Sequence, residues 1–329
     1  MKVYYDKDVK MDVLKGKTIA VIGYGIQGSA QAQCLQDSGL DVVVGLRKNG
    51  TSWKQAKKDG MKVANIEQAA KKGDIIMMLA PDMTHRSIYR NYVEKNLEDG
   101  NALYFSHGFN ITYALIKPPE NIDVIMVAPK GPGAKLREEY LKGFGIPALI
   151  AVHQDYSKKA KEKALALAKA MHFTKPGVIE CTFDEETLSD LFGEQAVLCG
   201  GSTELIKAGF ETLVENGFPP EIAYFEVLHE LKLIVDLIQE GGIEYMWSRV
   251  SETARYGGRT RGKRIIDEHV KQNMGQVLEE IKDGTFAHEW LAEYEVGLPK
   301  FDIMKRTESK HQIEKVGAEI RKMFSVGKK

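Results

Sequence analysis

The sequence predicts an α/β protein: an N-terminal Rossmann domain on a doubly wound parallel sheet, followed by an all-helical C-terminal domain. Three observations predict it. A β-branched run, TIAVIG, leads directly into a glycine pattern at Gly23, Gly25 and Gly28. Apolar runs of strand length then alternate with helical or turn-rich segments. Near residue 183 the texture changes, and the rest of the chain reads as long helices with few strand candidates.

The 329 residues are enough for two domains of ordinary size, here 1–182 and 183–329. Lys+Arg and Asp+Glu balance at 46 each, so no global field favours nucleic acid or an anionic membrane. The amino terminus has no apolar signal core, and no uninterrupted apolar run reaches the roughly 18 residues of a membrane helix, so a cytoplasmic location is expected. Cys34, Cys181 and Cys199 form no C-x-x-C pair and sit among apolar neighbours, which predicts buried structural thiols. The basic end RKMFSVGKK reads as a frayed, solvated terminus.

The segment KTIAVIGYGIQGSAQAQCLQDSGLDVVVGLR reads as strand, tight turn, helix and second strand. In that setting Gly23 serves the turn, Gly25 lets a pyrophosphate approach the backbone, and Gly28 lets the helix pack on the strand. The helix amino terminus adds unpaired N–H groups and partial positive charge. At the end of the second strand, where an acidic residue would hold a ribose 2′-hydroxyl, stand Arg47 and Lys48. Two cations, with the hydroxyls of Thr51 and Ser52, suit a 2′-phosphate and favour NADP.

Further strand runs are DIIMMLA, ALYFS, DVIMVA and PALIAV, and YSKKAKEKALALAKAM reads as an amphipathic helix with its lysines toward water. Loops 80–85, 106–111 and 128–133 follow three of these strands. His107 and Lys130 lie on constrained turns at that edge of the sheet, where ligands of such folds bind.

In the helical half, STELIKAGFETLVENG is a helix closed by Gly217, PPEIAYFEVLHELKLIVDLIQEGG the next, and IEYMWSRVSETARYGG another. Two of the helical stretches carry acidic pairs four residues apart on an apolar background: Asp190 with Glu194, and Glu226 with Glu230. Either pair alone reads as a surface stripe with lysine partners. Two pairs among aliphatics predict buried carboxylates neutralised by a hard divalent cation, Mg²⁺ or Mn²⁺ rather than Zn²⁺.

Taken in order, GYGIQGSAQAQCLQDSG, VVVGLR, SHGFNI, APKGPG, DLFGEQAVLCGG, FEVLHELKLIVDLI and SETARYGG resemble the short-form (class I) ketol-acid reductoisomerases over essentially the whole chain. The resemblance implies a Rossmann domain followed by a knotted helical domain. It also implies conversion of 2-acetolactate or 2-aceto-2-hydroxybutyrate to a 2,3-dihydroxy acid in valine, leucine and isoleucine biosynthesis, with NADP(H) and two Mg²⁺. By the same resemblance Asp190 bridges both ions and Glu194 holds one, while Glu226 and Glu230 reach the site from the partner subunit of a homodimer. Ser251 matches the substrate-binding serine, His107 the catalytic histidine, and Lys130 the lysine that assists proton transfer. Tyr24, Ile26, Gln27, Asp82, His85 and Gly133 match cofactor-contacting positions, beside Gly23, Gly25, Gly28, Arg47, Lys48 and Ser52.

Two departures stand out. Gly50 replaces the serine common in the phosphate-binding loop, which loosens the NADP preference and leaves NADH use open. The stretch DMTH at 82–85 differs from the more usual DxxQ, which leaves the contacts of Met83 and His85 unassigned. Rival readings are a metal-free hydroxyacid or imine reductase and a non-catalytic NADP-binding protein. The first has no use for the acidic pairs, and the second none for Lys130 either.

Overall fold

The computed structural model describes residues 2–325. Two compact units are present, Met1–Ser189 and Asp190–Lys329. They separate between Ser189 and Asp190, inside a helix whose entrance the sequence reading takes as the boundary.

Among the described residues the first unit holds a nine-stranded sheet in the order β1-β9-β8-β7-β6-β5-β2-β3-β4. Its strands are β1 (Val3–Tyr4), β2 (Thr18–Ile22), β3 (Asp41–Leu46), β4 (Lys62–Asn65), β5 (Ile75–Met78), β6 (Ala102–Phe105), β7 (Asp123–Pro129), β8 (Ala148–Gln154) and β9 (Val178–Glu180). Its helices are α1 (Ile26–Asp37), α2 (Thr51–Lys58), α3 (Ile66–Lys72), α4 (Asp82–Ile88), α5 (Phe109–Thr112), α6 (Gly133–Leu141) and α7 (Ala160–Ala170), with α8 (Phe183–Gly193) leading into the second unit. Pairing is parallel except for β1 with β9 and β7 with β8. Both faces of the central strands are covered, which is why β5 reads IIMM without alternation and every residue in it is buried. Ile19 and Val21 of β2 enter one core with Leu35, whereas Ala20 and Ile22 enter the other with Phe105.

From β2 the chain winds outward through β3 and β4, then returns to place β5 on the other side of β2. The strand order therefore reverses between β2 and β5, and the crevice at their carboxyl ends is the switch point where such sheets bind ligands.

One expectation for this unit fails. Helix α7 does not turn all its lysines to water: Lys163 is 7% exposed and its Nζ lies 2.7 Å from Asp123 Oδ2 in β7. Most of that helix is buried because it packs against β7 and β8.

The second unit, beyond α8, contains α9 (Gly200–Glu215), α10 (Pro220–Tyr224), α11 (Leu231–Arg249), α12 (Glu252–Ile265), α13 (Glu268–Lys282), α14 (Thr285–Glu295), α15 (Pro299–Glu308) and α16 (Gln312–Ser325). Gly217 and Gly242 adopt φ +87° and +88°, so the chain turns where the glycines predict, the second as a kink inside α11. The expected helix over 243–258 is interrupted. Val250 is extended, and the Ser251 Oγ accepts the Ala254 N–H at 3.1 Å to cap α12. The basic end is helical through Ser325, and its positions 326–329 lie outside the described residues.

One buried cluster of this unit consists of Phe210, Ala223, Tyr224, Ile313 and Ile320. Many of its other apolar side chains are exposed, among them Leu198 (70%), Leu233 (57%) and Ile243 (61%). Along 189–201, where the apolar background of Asp190 and Glu194 predicts burial, Leu191 is buried, while Val197, Leu198 and Cys199 are exposed. Of the cysteines, Cys34 is buried and Cys181 half-buried, but Cys199 is not the structural thiol expected.

Candidate active site

The switch point brings the loops after β2, β5, β6 and β7 to one edge. Gly23 has φ +107°, and a Cβ there would stand 2.6 Å from the Leu79 carbonyl and the Ala80 nitrogen. The turn after β2 thus closes directly on the turn after β5. Gly28 packs on the Gly23 carbonyl at a distance that leaves no room for a Cβ, whereas Gly25 has open space around it. One glycine bends the chain, one permits packing, and one remains approachable, as a pyrophosphate-binding turn requires.

The neighbouring candidates divide. Tyr24 is buried and donates its hydroxyl to Asp59 at 3.0 Å, while Gln27 donates to the Gly131 carbonyl at 3.1 Å. Those side chains are committed to partners inside the protein. Ile26 is 73% exposed at the start of α1, and Gly133 packs against its carbonyl.

Arg47 and Lys48 are exposed and line a cavity of about 310 Å³ at the carboxyl ends of β3 and β4. Asn65, Glu67 and Tyr92 line it too, and the sequence reading missed them. The signal for Asn65 was the short strand KVAN, which lacks the strong apolar run of the others and leads into the helix that carries Glu67. Ser52 stands in the first turn of α2, behind Gly50 as N-cap. Asp82 opens α4. His85 is 3% exposed, with one ring nitrogen 2.7 Å from the Ala80 carbonyl and the other 3.2 Å from Asn110 Nδ2. Both of its ring nitrogens are thus engaged by protein groups.

His107 and Lys130 come together through a residue that sequence reasoning missed. Glu186, in α8 and 1% exposed, accepts from His107 Nδ1 at 3.1 Å and from Lys130 Nζ at 2.8 Å. Burial pushes the Glu186 carboxyl up, but the His107 hydrogen bond and the charges of His107 and Lys130 outweigh it. The carboxyl is held below the usual carboxylate range. Because the carboxylate only accepts, His107 carries a proton on Nδ1. The available signal for Glu186 was its place one helical turn before Asp190.

Asp190 is half-buried, and Glu194, Glu226 and Glu230 are exposed, so none of the four is a buried carboxylate within this chain. The expectation failed because it read apolar neighbours as a covered face, and several of them, Val197, Leu198, Leu233 and Val235, are themselves exposed. A π-helical turn begins at Glu194 and another includes Glu226: Cys199 N–H bonds to the Glu194 carbonyl at 3.0 Å, and Glu230 N–H to the Phe225 carbonyl at 3.1 Å. Such turns shift side chains off the α-helical register and recur at functional sites. Carboxylates alone make a donor set suited to Mg²⁺.

A Rossmann crevice with an open pyrophosphate turn, flanked by a His–Glu–Lys acid–base cluster, defines a nicotinamide-dependent oxidoreductase. The chain belongs to the ketol-acid reductoisomerase family: residues 13–177 match the acetohydroxy acid isomeroreductase NADPH-binding domain, and residues 183–326 match the ketol-acid reductoisomerase C-terminal domain. It is 56% identical over 328 residues to the ketol-acid reductoisomerase (NADP(+)) of Methanocaldococcus jannaschii, covering 100% of this chain and 99% of that one. The enzyme of the same name from Pyrococcus abyssi is 55% identical over 98% of this chain and 97% of its own. A solved NADH-preferring ketol-acid reductoisomerase from an uncultured archaeon superposes with a TM-score of 0.96 at 52% identity, covering 99% of this chain and 100% of that one. Among the described residues no helix is long and apolar enough to cross a membrane.

Proposed function

We propose that this enzyme is Mg²⁺-dependent and converts 2-acetolactate to 2,3-dihydroxy-3-methylbutanoate, and 2-aceto-2-hydroxybutyrate to the methylpentanoate homologue. Alkyl migration comes first and nicotinamide-dependent reduction second, in the cytoplasmic synthesis of valine, leucine and isoleucine. The observation that carries the reading is Glu186 bridging His107 and Lys130, one turn ahead of Asp190.

Each residue then has a task. Glu186 orients the His107 ring through Nδ1 and holds the Lys130 ammonium in place. Lys130 donates hydrogen bonds to a substrate oxygen as negative charge develops there, and returns a proton to it. The Ser251 Oγ, which accepts the Ala254 N–H as a helix cap, keeps its own proton to donate to substrate. Asp190 and Glu194 would hold two Mg²⁺ ions together with Glu226 and Glu230 of a second copy of the chain. When bound, Mg²⁺ polarises the hydroxyl and ketone oxygens of the acetohydroxy acid, which makes the alkyl shift accessible at neutral pH. The division at 182/183 then separates a cofactor domain from a metal, substrate and dimerisation domain.

The exposed apolar surface of α9 and α11 supports the homodimer, since Leu205, Leu233, Val235 and Ile238 are too many apolar side chains to leave in water. Arg47 and Lys48 support NADPH as the principal reductant. Gly50, which contributes no hydroxyl, supports a measurable use of NADH, and the NADH preference in the name of the solved relative agrees with it.

The test is loss of nicotinamide absorbance with 2-acetolactate and each cofactor, in Mg²⁺ and in EDTA. Oxidation in Mg²⁺ and none in EDTA is expected. Turnover that survives EDTA would point to the metal-free reductase instead.

A further inference from the structure

A buried contact joins α4, which follows β5, to α5, which follows β6, and the reaction described above leaves it unused. His85 and Asn110 are 3% and 1% exposed. The Ala80 carbonyl can only accept, so the 2.7 Å contact places the His85 proton on Nε2. Nδ1 is then an acceptor, and Asn110 Nδ2 donates to it at 3.2 Å. The same amide nitrogen donates to the Asp82 carbonyl at 3.1 Å. Phe105, the last residue of β6, packs against the His85 ring with centroids 6.0 Å apart.

The Asn110 Oδ1 is buried without a hydrogen-bond partner among the described residues. An apolar side chain of similar size would avoid that cost, so the two donated bonds account for an amide at this position. Burial holds His85 below the usual histidine range, with nearby His107 adding to the effect. The ring therefore stays neutral and keeps one tautomer.

We infer that His85 and Asn110 are positioning residues, a clamp that ties the edge of the dinucleotide crevice to the loop carrying His107. Of the groups held on one side, Ala80 belongs to the turn that abuts Gly23, and Asp82 opens α4 just after it. Asn110, on the other side, lies three residues beyond His107. The inference rests on the dinucleotide reading of that crevice. It also gives DMTH a purpose: the histidine replaces the family's glutamine in a role that a glutamine amide can fill, donating to Ala80 and accepting from Asn110.

The experiment measures kcat, KM for NADPH, and direct NADPH binding by fluorescence for wild type, H85A, H85Q, N110L and the H85A/N110L pair, with melting temperatures alongside. In H85A both kcat and cofactor affinity fall about tenfold, because the two clamped segments drift. H85Q recovers to within about threefold of wild type, N110L resembles H85A, and the double variant is no worse than the poorer single one, as coupled partners require. Folded H85A with wild-type constants overturns the clamp, as does H85Q no better than H85A. If H85A does not fold, N110L with unchanged kcat and KM overturns it equally. A wild-type protein that turns over but binds NADPH nowhere near this crevice, judged by an unaltered KM in a Gly25→Val variant, would overturn the cofactor placement instead.

Discussion

Glu186 and His107 stand 79 residues apart in the chain, yet the buried carboxylate of one accepts a 3.1 Å hydrogen bond from Nδ1 of the other. Glu186→Gln keeps the size and loses the charge that both His107 and Lys130 face. Its kcat is expected to fall about a hundredfold or more, with NADPH affinity nearly unchanged. Equal losses in kcat and in cofactor binding would show that Glu186 supports the fold of the crevice rather than the acid–base pair.

The two acidic pairs give a second expectation. Glu226→Gln should abolish turnover and leave NADPH binding nearly intact, since Glu226 lies in the second unit and the nucleotide turn in the first. Weakened NADPH binding in that variant would mean that the residue is misplaced here.

A shared site in a homodimer predicts complementation. Asp190→Asn and Glu230→Gln are each expected to be inactive. Unfolded together and refolded as a mixture, half the dimers are heterodimers with one intact site, so about a quarter of wild-type activity returns. If the mixture stays inactive while each variant remains dimeric by sedimentation, each site is built from a single chain.

Gly50 offers a test of cofactor choice. Its backbone, φ −68° and ψ 167°, suits any residue, and a Cβ there meets only the Arg47 carbonyl, at 3.4 Å. Gly50→Ser therefore costs little stability and adds a hydroxyl beside Arg47. The ratio of kcat/KM for NADPH to that for NADH should rise about tenfold, the worth of one hydrogen bond to a charged phosphate. An unchanged ratio would move the 2′-phosphate away from this turn.

Acid stability is expected to depend on Asp123. Burial pushes its carboxyl up, but the Lys163 ammonium at 2.7 Å and the Ser157 hydroxyl and N–H prevail, so it titrates below its ordinary value. A carboxyl with a lower pKa in the folded than in the unfolded state adds stability that is complete above about pH 5 and is lost as pH falls through the folded value. Asp123→Asn leaves Lys163 buried and uncompensated, at a cost of about 3–5 kcal/mol at neutral pH. Urea midpoints from pH 7 to 3 should fall less steeply in the variant, and parallel curves would exclude this pair as the acid-sensitive element.

What could be read in the sequence follows from periodicity and local geometry. The strands β2, β3 and β5 to β8 show as apolar runs, because strands covered on both faces need no polar alternation. The glycine turn shows because Gly23 and Gly28 are forced by backbone conformation and close packing. Strand β4 escaped notice, half-exposed at the sheet edge, and with it went Asn65 and Glu67. The break before Ser251 also escaped, since the residues around it suit a helix and only the cap hydrogen bond marks the end.

The sequence by itself determined the class of fold, the cofactor turn, and which acids, histidine and lysine to examine, since each of these is dictated by residue type at short spacing. Only the tertiary structure decided that Glu186 joins His107 to Lys130, that His85 turns inward to Asn110, and that Lys163 is buried on Asp123. Those pairings span between 25 and 79 residues. Their energy comes from desolvated charge and hydrogen-bond geometry, which exist only once the strands have brought distant loops to one edge of the sheet.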